Sequence, residues 1–304
     1  MPANHSDTSS PSLKDAFKSY QELIQSKIKE KVAALPTTGI LNEACEYALL
    51  NGGKRFRPTL VYMVAEALGQ GRDVSNAAMA VEFFHTASLV ADDLPCMDDD
   101  EERRSKPTVH KVYGEAIALL VSYALIAEGY GAIAHGLPQK TQASGESSGS
   151  GFKIIAMALE NATFNTGLSG ATGGQFLDIF PPDLSEATLR EIIHKKTTSL
   201  FEIAFVFGWL FGGGDSKDLA LVKSCASHFG LAFQVADDLG DVEQDLKNGR
   251  KVNMAGVFGV ERAEKILEEE LFGYRATLKS LKIDSPALLG LATSLEGGFR
   301  TISG

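Results

Sequence analysis

The chain has 304 residues, 44% of them hydrophobic, and a formal net charge of −10. It is long enough for one large domain or two around a substantial core. Its acidic balance excludes a broad nucleic-acid surface, although not a local phosphate site built from a few Lys and Arg. Cys45, Cys96 and Cys225 are odd in number and scattered, which fits reduced thiols better than a disulfide framework or a zinc site. No uninterrupted apolar run reaches the length of a membrane span. The polar start, MPANHSDTSSPS, has neither the apolar core of a secretion signal nor the Arg-rich character of a transit peptide. A cytoplasmic protein without stable membrane insertion is therefore expected, with residues 1–11 as a frayed tail and residues 12–304 as a single domain.

Helical spacing begins with Leu13, Phe17, Tyr20, Leu23, Ile24, Ile28 and Val32. Pro36 should end this helix, and a second runs from Leu41 to Leu50 until Asn51-Gly52-Gly53 stops it. Lys54, Arg55 and Arg57 follow two glycines, with Pro58 expected to start the next helix. Cations beside a helix N-terminus suit either a diphosphate or a simple basic cap. Thr59–Leu68 and Ala77–Ala91 are helical in pattern, and a lone His85 on the second would ordinarily be a packed core histidine.

The second of these helices runs into the densest chemistry of the chain. Phe83 to His110 contains Asp92-Asp93, then Asp98-Asp99-Asp100, Glu101-Glu102 and Arg103-Arg104. A solvated acidic loop is one reading. Hard cations such as Mg²⁺ held by carboxylate oxygens, with Arg gripping phosphate directly, is the other. A second cluster, Asp237-Asp238-Leu239-Gly240-Asp241, also follows an apolar stretch, which favours the latter. Between them come a helix over Glu115–Ala134, a flexible polar loop over 138–151, Gly173-Gly174-Gln175-Phe176-Leu177-Asp178, and IIHKKTTSLFEIA with Lys196-Thr197. The apolar Phe201–Phe211 stretch should be core. On the helix Leu219–Asp241, Asp237 and Asp241 are i and i+4 with Gln234 nearby, and Gly240 weakens it by roughly 1 kcal/mol relative to Ala. A polar amphipathic helix over Arg262–Leu281 and a short final helix complete an all-α chain.

DDLPCMD resembles the first aspartate-rich motif of the trans-isoprenyl (polyprenyl) diphosphate synthases, and FQVADDLGD the second. GGKRFRP, the His85/Ser88/Leu89/Asp92/Asp93 pattern, the Arg103-Arg104 pair, GGQFLD and Lys196-Thr197 follow the family order over roughly residues 20–300. The resemblance implies an antiparallel helical bundle around a central cavity, and a homodimer. It implies Mg²⁺, three ions per site, on Asp92, Asp93, Asp98, Asp237, Asp238 and Asp241. Lys54, Arg57, His85 and Arg104 would hold isopentenyl diphosphate. Arg103, Lys196, Thr197 and Gln234 would hold the allylic partner (dimethylallyl, geranyl or farnesyl diphosphate), together with Lys247 or Lys251. The catalytic set would be Asp92, Asp93, Asp98, Arg103, Lys196, Asp237 and Asp238. Departures from the family pattern are Ala91, Val121-Ser122-Tyr123, and Ser105 in place of glycine. Ser105 should need a negative φ.

The implied reaction is head-to-tail condensation of an allylic diphosphate with isopentenyl diphosphate. In the family a bulky aromatic five residues before the first aspartate favours a C15 product. Here that position is Ala87, beside Ser88, with Phe84 and Phe83 about one turn deeper. Geranylgeranyl diphosphate (C20) is the expected product, with farnesyl diphosphate (C15) the alternative. A terpene cyclase would have no use for a second diphosphate site. A non-catalytic subunit of a heteromeric synthase would usually lose aspartates that are intact here.

Overall fold

The structure, a computed structural model, describes residues 13–35, 39–136, 148–247 and 252–297. The expected tail at 1–11 and the loop up to residue 147 lie outside the described residues. The fold is a helical bundle, as expected: α1 (Leu13–Ala33), α2 (Ile40–Leu50), α3 (Phe56–Ala67), α4 (Ser75–Asp92), α5 (Val109–Tyr113), α6 (Glu115–Ala134), α7 (Ser148–Thr166), α8 (Ala171–Ile179), α9 (Glu186–Ile193), α10 (Ser199–Gly212), α11 (Leu219–Lys247), α12 (Met254–Phe258), α13 (Val260–Leu281) and α14 (Pro286–Glu296). A two-strand hairpin, β1 (Glu102–Arg103) with β2 (Lys106–Pro107), is the single ladder among the described residues.

Helix α10 is apolar except for Ser199 and Glu202, and all 14 of its residues are buried. A helix without a polar face must sit in the middle of a bundle, and α10 packs on α3, α4, α7 and α11. Gly208 lets α3 approach closely, since a Cβ there would lie 2.7 Å from the Val61 carbonyl oxygen. Below the site, Phe56, Phe201, Phe205, Phe229, Phe233 and Tyr274 form a continuous aromatic cluster joining α3, α10, α11 and α13. Ring contacts of this kind add to the area they bury and fasten α11, which carries the second acidic cluster, to α3, α10 and α13.

Several local expectations shift. Helix α3 starts at Phe56, two residues before Pro58, with Arg55 at its N-cap in the left-handed region (φ 49°). The two central residues of the hairpin turn, Arg104 and Ser105, have φ of 57° and 60°. The negative φ expected at Ser105 is thus wrong. A two-residue hairpin loop matches the strand twist when both central residues are left-handed. Lys106 and Pro107 pair with Arg103 and Glu102, and the Tyr47 hydroxyl donates to the Pro107 carbonyl at 2.7 Å, anchoring the ladder. Helix α7 begins at Ser148, inside the stretch expected to be loop, and α9 was not anticipated as a separate helix. Two helices, Glu115–Ala134 and Ser216–Val242, are long and apolar enough to cross a membrane by length and composition alone. No single apolar run had indicated this, because small residues and isolated polar ones interrupt both.

Arg55 belongs to the scaffold. It is paired with Glu82, the two side chains being 2% and 1% exposed, and it donates to the Leu49 carbonyl at 2.5 Å and to Gln25 Oε1 at 3.3 Å. Removing one partner would strand a buried charge. Arg55→Ala should therefore lower unfolding stability in urea by about 3–5 kcal/mol, whereas Lys54→Ala, on an exposed side chain, should change it by no more than about 0.5 kcal/mol. Equal effects would remove Arg55 from the scaffold.

Candidate active site

Helix α4 ends at Asp92, with Asp93 as its C-cap. The chain then folds back, and the Asp98 amide donates to the Asp92 carbonyl at 2.9 Å. Across a cavity of about 870 Å³ lies the end of α11. Asp98, Asp100, Asp178, Asp237, Asp238 and Asp241 line this cavity, with Lys196, Thr197 and Gln234 between them and Leu189, Ile192, Ile193 and Met254 supplying apolar wall. The two acidic clusters, far apart in sequence, therefore face one space. Among the described residues, no three His, Cys, Asp or Glu side chains converge closely enough to define an ion site by themselves.

The second aspartate of each pair is engaged by the protein. Asp93 is buried and accepts from Arg103 Nε at 2.6 Å, and Asp100 holds the same guanidinium at 3.0 Å. Asp238 is buried and accepts from Gln234 Nε2 at 2.9 Å and from the Met254 amide at 2.8 Å. Gln234 Oε1 in turn accepts from the Thr197 hydroxyl at 2.9 Å, which fixes the direction of both side chains. Asp92 is half-buried. Burial pushes its carboxyl up to about 7, with Asp98 adding to the rise and Lys196 opposing it.

Lys196 and Thr197 reach the cavity because residues His194–Thr198 form a π-turn between α9 and α10. One extra residue in a helical turn displaces the side chains that follow, and such turns recur at functional sites. Gly174 of α8 makes room for it, since a Cβ there would lie 2.3 Å from the Lys196 backbone nitrogen. Lys196 also pairs with Asp178.

At the end of the site where α3 meets α4, Arg57 lies 4.5 Å over the Phe201 ring and 3.3 Å from His85 Nε2. Arg can only donate, so His85 Nε2 accepts and Nδ1 carries the proton. Burial, then the nearby Arg57, Arg104 and Arg103, hold His85 well below its ordinary value, so the ring is neutral. Burial also brings Arg57 down to about 10, with Glu82 and Asp237 resisting. Arg57 Nε and His85 Nδ1 are buried without a hydrogen-bond partner. Buried donors without a partner favour an anion nearby. Arg104 donates to the Gly52 carbonyl and lies across Gly53, where a Cβ would be 2.2 Å from the guanidinium carbon. Lys54 is exposed beside it.

The three residues assigned to product length are not among those lining the cavity. Ala87 and Phe84 are buried. The Ala87 carbonyl accepts from Ser122 of α6 at 3.0 Å, and Phe84 meets the Tyr130 ring at 5.1 Å. The Ser88 hydroxyl donates to the His85 carbonyl at 2.9 Å. Lys251 and the side chain of Lys247 lie outside the described residues. Sequence reasoning missed Asp100 and the apolar wall of α9. The signal for the latter was present: Ser185 caps a helix whose Leu189, Ile192 and Ile193 fall on one face.

Comparisons with known proteins identify the family and the fold. The polyprenyl synthetase family profile matches residues 38–255. The chain is 36% identical over 273 residues to geranylgeranyl pyrophosphate synthase 4 of Arabidopsis thaliana, covering 83% of this chain and 70% of that protein. Among solved structures, a geranyltransferase from Legionella pneumophila superposes with a TM-score of 0.78 at 27% identity, over 94% of this chain and 97% of that one. An FPP/GFPP synthase from Zymomonas mobilis gives 0.76 at 28% identity, over 91% and 97%. Two facing aspartate clusters, the basic group of Arg57 and Arg104 near them and these similarities lead to one conclusion: the chain belongs to the polyprenyl synthetase family and is an enzyme of the trans-prenyltransferase kind.

Proposed function

We propose that the enzyme joins an allylic diphosphate to isopentenyl diphosphate head to tail, releases diphosphate, and makes chiefly C20 geranylgeranyl diphosphate. The observation that carries this reading is the division of one site into two differently charged ends. Carboxylates with Lys196 line the cavity at one end, and Arg57, neutral His85 and Arg104 form a basic group next to it, close enough for Asp237 to act on Arg57. A reaction between two diphosphates needs two such ends. The similarity to a geranylgeranyl pyrophosphate synthase supports the longer product; the small Ala87 and Ser88 before Asp92 point the same way in sequence, although neither lines the cavity.

Asp92, Asp98, Asp237 and Asp241 offer hard oxygen donors suited to Mg²⁺. Burial, with Asp98 adding to it, raises the Asp92 carboxyl, so a bound cation would stabilise its charged form. We infer three such ions per site. Bound Mg²⁺ would offset the charge that grows on the leaving diphosphate. Asp93 and Asp238 act differently in this reading, by positioning Arg103 and Gln234. Arg103 grips the allylic diphosphate, with a lysine at 247 or 251 as a further contact. Lys196, Thr197 and Gln234 direct their dipoles toward the allylic carbon as its C–O bond breaks. Leu189, Ile192, Ile193 and Met254 keep water from the cation. Lys54, Arg57, His85 and Arg104 hold isopentenyl diphosphate so that its double bond attacks C1. The proton then lost goes to the departed diphosphate. A cytoplasmic homodimer completes the proposal, with the exposed Leu119, Leu120, Tyr123 and Ile126 of α6 as the face for a second copy.

Purified protein alone, given Mg²⁺, farnesyl diphosphate and isopentenyl diphosphate, should yield the C20 product by chromatography. Ala87→Tyr should stop synthesis at C15. Wild-type protein that makes no prenyl diphosphate would end the proposal, and a C20 product from Ala87→Tyr would move the length control off α4.

The state of Asp92 gives a second test. Below about pH 7 its carboxyl holds a proton that a cation must displace, and above it that competition vanishes. Mg²⁺ binding followed by calorimetry should be about tenfold weaker at pH 6 than at pH 8 and should release protons at pH 6. Asp92→Asn should flatten the dependence. Identical affinities at both pH values in the wild type would contradict it.

A further inference from the structure

The acidic loop is tied to α5 by contacts that the proposed reaction does not use. Thr108 is the N-cap of α5, yet its side chain makes no capping bond. A threonine at that position would ordinarily accept from an amide of the first turn. Here the hydroxyl lies 3.0 Å from the Asp100 carbonyl, 3.4 Å from the Glu101 carbonyl and 3.0 Å from His110 Nδ1. Thr108 and His110 are 1% and 7% exposed. The hydroxyl has one proton, and a carbonyl oxygen can only accept. Both short contacts are satisfied in one arrangement: the Thr108 hydroxyl donates to the Asp100 carbonyl, and His110 Nδ1–H donates to the Thr108 oxygen. His110 Nε2, buried without a partner, is then a bare acceptor. Unsatisfied acceptors are tolerated better than orphaned N–H groups.

The residue held in this way is one of the two that grip Arg103. The Asp100 carboxylate meets that guanidinium at 3.0 Å, and Asp93 meets it from the other side at 2.6 Å. Losing the bond to the Asp100 carbonyl would free the loop at the point that sets the direction of Arg103. We propose that His110 is a positioning residue: as the Nδ1–H tautomer it holds Thr108 against the Asp100 carbonyl, and so aims Arg103 at the allylic diphosphate. The last step rests on the proposed function; the tautomer does not.

The amide nitrogen of asparagine takes roughly the place of histidine Nδ1, and that of glutamine the place of Nε2. His110→Asn should therefore keep the Michaelis constant for the allylic diphosphate within about threefold of wild type. His110→Gln and Thr108→Val should each raise it about tenfold, with the constant for isopentenyl diphosphate moving less than about threefold. In the wild-type full chain, ¹⁵N-histidine NMR should show His110 protonated at Nδ1 and not at Nε2, and this needs no variant to fold. Inorganic diphosphate should bind His110→Gln more weakly than His110→Asn, a readout that survives if the enzyme gives no product. An Nε2–H tautomer, equal losses in the asparagine and glutamine variants, or equal changes for both substrates would overturn the assignment.

Discussion

Carboxylates gathered round one cavity repel each other, and every other feature of the site follows from how that repulsion is met. Asp98, Asp100, Asp178, Asp237, Asp238 and Asp241 line a single space. Part of the charge is absorbed within the protein. Lys196 pairs with Asp178, Arg103 with Asp93 and Asp100, and Asp238 accepts from Gln234 and the Met254 amide. Asp92 remains raised, chiefly by its burial and in smaller part by Asp98. An arrangement of this kind gains most when cations and a polyanion bind together, because each removes the penalty on the other.

Holding such groups face to face demands a rigid frame. The largely apolar α10 supplies the centre, and the buried Arg55–Glu82 pair fastens the turn before α3. Close approach at Gly174 allows the π-turn that brings Lys196 and Thr197 to the cavity. The outer face of α9 is fastened as well. Glu186 takes Arg262 of α13 at 2.8 Å, while Leu189 and Ile193 of the same helix line the cavity. A short helix of eight residues would not keep its place by propensity alone, so this tie steadies the apolar wall.

Much of the bundle was legible from periodicity. The apolar spacing of Leu13 to Val32 and the unbroken run Phe201–Phe211 each became the helix they implied, because nearly all their side chains pack where the pattern points, Leu23 excepted. The acidic clusters were legible as motifs, and their facing one another was expected from their use. Less visible were features that depend on contacts distant in sequence. Nothing local distinguishes Arg55 from Lys54 and Arg57, yet one reaches Glu82, one is exposed and one lies on Phe201. The pairs Asp92/Asp93 and Asp237/Asp238 look equivalent along the chain, but the buried second member of each is hydrogen-bonded inward. The left-handed Arg104-Ser105 turn contradicted residue preference, because the hairpin register and the Tyr47 anchor fix its backbone.

The central claim is that both aspartate clusters act on one diphosphate. A crystal structure of the full chain with Mg²⁺ and an inert allylic thiodiphosphate tests it most directly. The account predicts a single diphosphate between the Asp92/Asp98 wall and the Asp237/Asp241 wall, bridged to both through metal ions and in contact with Arg103. Diphosphate bound elsewhere, or metal on one wall only, would contradict it.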